Sequence, residues 1–193
     1  MKIHTIPVGP LETNCYLVED ERSKETLIID PGDDAEKILK EIKVHALKPV
    51  FVVTTHGHYD HIGAVREIKD RYNIPFLMHE KDLWGLPLVG APQPDRFLKD
   101  QDKLDIGHWT LVIIHTPGHT PGGICLYNEK EKVLFSGDTL FAGTYGRTDL
   151  PYSSQADMEK SLKKLLKLPP DTKVYPGHGE TTNIGREQET LNR

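Results

Sequence analysis

Three histidines and an aspartate stand within six residues, His56-Gly57-His58-Tyr59-Asp60-His61, after an apolar run and before a helical pattern. A loop at a strand end can turn alternate side chains toward one point, and imidazole with carboxylate is a donor set that suits Zn, Fe or Mn. The alternative is a solvated polar loop whose histidines cap the next helix. His119 follows in Thr116-Pro117-Gly118-His119-Thr120-Pro121-Gly122, Asp138 in Ser136-Gly137-Asp138-Thr139, and His178 in Pro176-Gly177-His178-Gly179. Each lies beside glycine at the end of an apolar run, where backbone approaches closely and side chains can converge. Taken singly, each reads as a turn residue. With the first cluster they make seven ligand-type side chains on four loops, too many for one zinc and about right for two ions sharing a carboxylate.

The elements that must hold these loops are read from apolar periodicity. Strands are expected over Lys2–Val8, Asn14–Glu19, Thr26–Asp30, Val50–Thr54 and Ile74–His79. Helices are expected on Ile38, Leu39 and Ile42, capped by Asp33 or Asp34, and on Ile62, Val65, Ile68 and Tyr72. From Glu80 to Gln101, Gly85, Pro87, Gly90, Pro92 and Pro94 predict an irregular excursion. Trp109–His115, Gly123–Tyr127 and Lys132–Ser136 follow at hairpin spacing. Met158, Leu162, Leu165 and Leu166 mark a helix ended by Pro169-Pro170; Thr172–Tyr175 is a last strand, and the tail from Thr182 is expected to be helical. The strand–helix rhythm occurs on both sides of the middle, which predicts an α/β domain of mixed sheets covered by helices over residues 1–193.

Composition narrows the class further. Of 193 residues, 37 % are hydrophobic and 27 % charged, as in soluble globular proteins, and no apolar run approaches a membrane span. The start, MKIHTIPVGP, lacks the apolar stretch of a secretory signal. Two cysteines, Cys15 and Cys125, cannot build a disulfide framework, so a cytoplasmic location is expected and both are read as small buried residues. A net charge of −5 without a basic run argues against nucleic-acid and membrane partners and leaves a small molecule. His4, His45, His79, His108 and His115 lack ligand spacing, His79 alone being placed to line a pocket, and Trp84 and Trp109 are read as packing residues.

The order HxHxDH, then His in PGHT, Asp in SGDT and His in PGHG, resembles the metallo-β-lactamase superfamily over almost the whole chain. The resemblance implies an αββα four-layer sandwich with a metal site at one edge between the sheets. It implies His56, His58 and His119 on one divalent ion, Asp60, His61 and His178 on a second, and Asp138 bridging; zinc is the first expectation, with iron or manganese also suited. Asp30, closing Leu27-Ile28-Ile29, matches an early aspartate that would steady a ligand, although by itself it is only a carboxylate before a Pro-Gly turn.

Within the superfamily, lactamases with this zinc core commonly carry cysteine at the position of Asp138, and flavin–diiron relatives carry an acidic residue at that of His58, so both are disfavoured. Gly143-Thr144-Tyr145-Gly146-Arg147-Thr148-Asp149-Leu150-Pro151 looks like the short-chain glyoxalase II-like hydrolases, related to hydroxyacylglutathione hydrolase, which opens S-lactoylglutathione. The resemblance therefore implies a metal-dependent thioesterase in which a hydroxide between two ions attacks the thioester carbonyl and Asp60 orients or deprotonates the attacking water. Tyr145 and Arg147 are candidates to grip a carboxylate or the leaving thiol; alternatively Arg147 pairs with Asp149 and Tyr145 packs on the surface. Longer glyoxalase II enzymes bind glutathione with basic residues of a C-terminal helical extension. Here residues 179–193 offer only Arg186 and Arg193, so no such domain is expected. A GRTD segment also occurs in persulfide dioxygenases, which share the fold and use a single iron; His56, His58, His119 and Asp138 would then be the positions to watch. Another superfamily hydrolase, or a non-catalytic metal-binding protein, completes the alternatives.

Overall fold

The computed structural model describes residues 1–191; Arg193, counted above among the basic residues of the tail, lies outside them. The chain opens as a hairpin of β1 (Lys2–Val8) and β2 (Thr13–Glu19). β3 (Glu25–Ile29) pairs antiparallel with β2, and β4 (Lys48–Val53), β5 (Phe76–Met78) and β6 (Arg96–Phe97) add in parallel, giving the sheet order β1-β2-β3-β4-β5-β6. Central strands bury both faces, and the period of two sorts their side chains. Cys15, Leu17, Ile28 and Val52 face outward onto Ile38 and Ile42 of α1 (Ala35–Val44) and Val65 and Ile68 of α3 (Val65–Tyr72). Tyr16, Val18, Leu27, Ile29 and Val53 face the other way, into the space between the sheets.

The second sheet runs β14-β13-β10-β9-β8-β7. It contains β7 (Lys103–Ile106), β8 (Trp109–His115), β9 (Ile124–Asn128), β10 (Val133–Gly137), β13 (Lys173–Pro176) and β14 (Thr182–Asn183), with β10 and β13 its parallel pair. Leu104, Ile106, Leu111, Ile113, Leu126 and Phe135 meet the first sheet, while Ile114, Cys125 and Leu134 pack outward against Met158, Leu162 and Leu165 of α5 (Gln155–Leu165) and Ile184 of α6 (Ile184–Leu191). The layers are thus helix, sheet, sheet and helix, the αββα sandwich. A small hairpin, β11 (Leu140–Phe141) with β12 (Thr144–Tyr145), projects after β10. Among the described residues no helix is long and apolar enough to cross a membrane.

Several local expectations change: the tail expected to be helical from Thr182 opens as strand β14 before α6, and β7 is an added strand. The second helix is two, α2 (Tyr59–Ile62) and α3, because Ala64 N–H leaves the helical ladder for the Pro31 carbonyl at 2.9 Å. Asp34 does hold the cap position of α1, but its backbone is left-handed (φ 49°) and its carboxylate accepts instead from Gly9 N–H of the first hairpin at 3.0 Å. The middle stretch is less irregular than its prolines predict, carrying a 3₁₀ turn (Glu80–Gly85), α4 (Leu86–Val89) and β6.

Candidate metal centre

All seven donors, and Asp30 behind them, lie on segments that follow strands at one edge of the sandwich: Asp30 after β3, His56 to His61 after β4, His119 after β8, Asp138 after β10 and His178 after β13. Backbone hydrogen bonds lock these ends together, with Ile124 N–H on Thr55 O at 2.9 Å, Gly177 N–H on Gly137 O at 2.8 Å and Asn14 N–H on Gly177 O at 2.7 Å.

The side chains converge as two groups of three. His58 Nδ1 stands 3.0 Å from His56 Nε2 and 2.9 Å from His119 Nε2. His178 Nε2 stands 3.3 Å from both His61 Nε2 and Asp60 Oδ2, which are themselves 3.5 Å apart. Donors about 2.0–2.1 Å from a tetrahedral ion sit about 3.3 Å from one another, so both groups have the spacing of a ligand set. Asp138 spans them: Oδ1 is 3.5 Å from His61 Nε2, and Oδ2 is 3.5 Å from both His119 Nε2 and His178 Nε2. Its Oδ1 is buried without a hydrogen-bond partner among the described residues, as suits an atom whose partner is a cation.

The opposite ring nitrogens explain why these lone pairs point inward. His119 Nδ1–H donates to the Arg147 carbonyl at 2.9 Å and His178 Nδ1–H to the Leu11 carbonyl at 3.1 Å. His61 Nδ1–H donates to Asp30 Oδ2 at 2.9 Å. Thr55 Oγ1–H also donates to Asp30 Oδ2, at 2.7 Å, leaving its oxygen to accept from His56 Nδ1–H at 3.1 Å. Each of these four rings has its Nδ1 committed to oxygen and presents Nε2 to the centre. Thr13 Oγ1–H fixes the fifth donor by bonding Asp60 Oδ2 at 3.0 Å.

Charge divides the two groups. Burial pushes His56 well below the ordinary histidine range, and burial with the neighbouring rings takes His58 down to about 4, so both are neutral ligands. Burial also opposes a charge on His61, but Asp138, Asp30 and Asp60 overcome it and raise the ring to about 9. The hydrogen bond to Asp60 raises His178 against its own burial, and Asp60 stays ionised because His178, His61 and Thr13 together outweigh its burial. The second group therefore holds a proton where a cation would sit.

Asp30 lies behind the second group and accepts from His61 Nδ1–H, at the position where the resemblance implies a residue that steadies a ligand. Arg147 does not reach the centre with its side chain: the guanidinium lies exposed and grips Asp149 through two bonds, Nε to Oδ1 at 2.7 Å and an Nη to Oδ2 at 2.8 Å. Its carbonyl, which no side-chain argument considers, is what holds His119. Tyr145 packs against the outer core beside α5. His79 stacks on His115 at 4.3 Å, and Trp84 packs edge-on against the His58 ring at 5.5 Å. Sequence reasoning missed Thr13, Thr55 and Asp82. Asp82 is a buried carboxylate that burial pushes upward and that three donors from the ligand loops pull back.

Comparison with known proteins gives the family and the fold. The family model of the metallo-beta-lactamase superfamily matches residues 8–178. The chain is 36 % identical to hydroxyacylglutathione hydrolase GloC of Haemophilus influenzae, over 97 % of this chain and 95 % of that one. It is also 36 % identical to the probable metallo-hydrolase YqgX of Bacillus subtilis, over 98 % and 95 %. Among solved structures it resembles BLEG-1 B3 metallo-beta-lactamase, with TM-score 0.89, 40 % identity and 97 % of both chains covered. TTHA1623 in a di-iron-bound form matches with TM-score 0.87 and 37 % identity over 97 % and 98 %, and ETHE1 from Myxococcus xanthus with TM-score 0.86 and 27 % identity over 100 % and 84 %. By its strand-end donors, its four layers and these matches together, the chain belongs to the metallo-beta-lactamase superfamily, as a metal-dependent hydrolase.

Proposed function

We propose that this protein hydrolyses thioesters of small hydroxy acids in the manner of glyoxalase II, S-lactoylglutathione being the type substrate. The observation that carries the dinuclear part is the pair of three-donor groups joined by Asp138. The thioester part is supported by the relative GloC and by the segment Gly143 to Pro151. Two divalent ions, zinc first and iron or manganese next, would be held by His56, His58 and His119 and by Asp60, His61 and His178, with Asp138 shared; they supply Lewis acidity and a water nucleophile at neutral pH. Asp60, ionised and pinned by Thr13, orients that water. The leaving thiolate is stable enough near neutrality to depart without a strong general acid.

A cavity of about 240 Å³ opens beside Asp60, lined by Val8, Pro10, Leu11, Tyr59 and Val89 together with Asp33, and its size supports a short acyl group. Tyr145 and Arg147 remain candidates for the thiol side. Arg147→Ala is expected to raise KM for thioesters bearing a carboxylate about tenfold, the worth of one hydrogen bond to a charged group. It should leave kcat unchanged, because the carbonyl that holds His119 survives. An unchanged KM across several thioesters would remove Arg147 from the substrate site. Both cysteines are free and buried, which supports a reducing, cytoplasmic location.

The deciding experiment is a hydrolysis screen of thioesters with glutathione and other thiols, with metal content measured on the same sample. Thioester turnover with near two ions per chain is expected. Two results would overturn it: a single iron with oxygen consumption on a glutathione persulfide, or ring opening of a lactam with no thioester turnover. The Gly146-Arg147-Thr148-Asp149 segment motivates the first arm, and the likeness to BLEG-1 B3 metallo-beta-lactamase the second.

A further inference from the structure

Asp82 lies outside the seven donors, at the centre of the 3₁₀ turn after β5, and is 0 % exposed. Its Oδ2 accepts from Gly57 N–H at 3.0 Å and from Thr120 Oγ1–H at 2.6 Å, while Oδ1 accepts from Gly122 N–H at 2.7 Å. Gly57 is the residue between His56 and His58, and Thr120 directly follows His119. One carboxylate therefore ties together the two loops that supply all three imidazoles of the first group. The fit is close on both sides: a Cβ on Gly57 would lie 2.4 Å from the Asp82 carbonyl oxygen, and one on Gly122 would lie 2.6 Å from Asp82 Cγ. The same turn sets Trp84 against the His58 ring.

A buried anion is costly to hold, and here its donors are two peptide N–H groups and a hydroxyl, all neutral. Loop closure alone would be served by an uncharged residue. The carboxylate is bonded to both loops, and the rings those loops carry approach to 2.9 Å, His58 Nδ1 to His119 Nε2. We propose that Asp82 is a positioning residue for the first ion: it fixes His56 and His58 relative to His119 without touching the ion itself. This rests on the dinuclear part of the proposed function and not on the thioester part.

Ion uptake tests it without any substrate. Metal-free protein is titrated with Zn²⁺ against a chromogenic chelator in two backgrounds: His178→Ala, which leaves the first group intact, and His119→Ala, which leaves the second. Asp82→Asn keeps the size but sets an amide N–H₂ against at least one of the three donors. Adding it to His178→Ala should weaken Zn²⁺ about 10- to 100-fold, the usual effect of losing a group that orients a ligand. Adding it to His119→Ala should change affinity by less than about twofold, since the second group is held by Asp30 and Thr13 instead. Thr120→Val, a smaller change that removes one donor, should weaken the first group by less and covers the case in which Asp82→Asn fails to fold. Thr13→Val should give the reverse pattern, weakening the second group alone. Equal affinity with and without Asp82→Asn and Thr120→Val in the His178→Ala background would overturn the proposal, as would equal weakening in both backgrounds. Wild-type protein that takes up no ion would overturn the dinuclear reading and this role with it, whereas normal uptake without thioester turnover would overturn only the substrate.

Discussion

Asp138→Ala is expected to lose ion binding and hydrolysis together, with kcat/KM down by about three orders of magnitude. The size follows from position. Asp138 is the side chain that stands between both groups, its two oxygens 3.5 Å from His61 on one side and from His119 and His178 on the other. Removing it takes a donor from both ions at once, and Lewis-acid stabilisation is worth several kcal/mol; about 4 kcal/mol corresponds to the stated loss. Removal also leaves the imidazoles of two groups crowded at a buried edge without the anion that suits their cations. The control is Asp149→Ala, which deletes an exposed carboxylate near the same loop and breaks only the pair with Arg147. Metal content by elemental analysis and thioester turnover on the same preparations decide the matter. Full activity in Asp138→Ala would sink the bridging role, and retained ions with lost activity would move Asp138 from ligand to proton carrier.

The donors were legible because each obeys one local rule. An apolar run ends, and within the next few residues a ligand-type side chain stands near a glycine; Val50 to Val53 before His56-Gly57, and Val133 to Gly137 before Asp138, are read directly. What holds the donors was less legible, because threonine carries no periodic signature and its partners lie far along the chain. Thr13 meets Asp60 across 47 residues, and Asp82 meets Gly122 across 40. Asp30 was reached only through resemblance, since an aspartate before Pro-Gly reads equally as a turn; its positive φ of 50° and its three bonds appear only in the fold.

Fold errors have equally local causes. Ile62, Val65, Ile68 and Tyr72 keep helical period across a real break, because the interruption is made by the Pro31 carbonyl from another loop. β7 is four residues of alternating burial, too short for its period to stand out beside Gly107. Arg147 shows a further limit: the type of its side chain drew attention to the residue, yet its carbonyl is the group that contacts the centre through His119.

The other large effect is expected in the metal-free protein as pH rises. His61 in the folded chain is raised from 6.5 to about 9 by Asp138, Asp30 and Asp60 in spite of its burial. A folded-state value above the unfolded one stabilises in full below the unfolded value of 6.5 and is lost as pH climbs through about 9. The difference of about 2.5 units is worth about 3 kcal/mol at 1.36 kcal/mol per unit, and for a chain of this size lowers Tm by about 10 °C. His178, raised by Asp60, acts in the same direction. Asp60 runs oppositely: its depressed value contributes above the ordinary carboxylate range and is lost as pH falls below it, so the chelated protein should be most stable between the two limits. An ion at this group replaces the proton, because the Nε2 it needs is the one that carries it while Nδ1 stays on Asp30. Zn²⁺-loaded protein should therefore hold its Tm over the interval in which chelated protein loses it, and apparent affinity at the second group should rise about tenfold per pH unit up to about 9. His56 and His58, already neutral, add no such proton. Thermal scans with and without a chelator across pH 6.5 to 9 measure the first part, and Zn²⁺ titration in the His119→Ala background measures the second. A chelated Tm that stays flat across this range would mean that no proton waits at His61, and the two groups would then not differ in charge before the ions arrive.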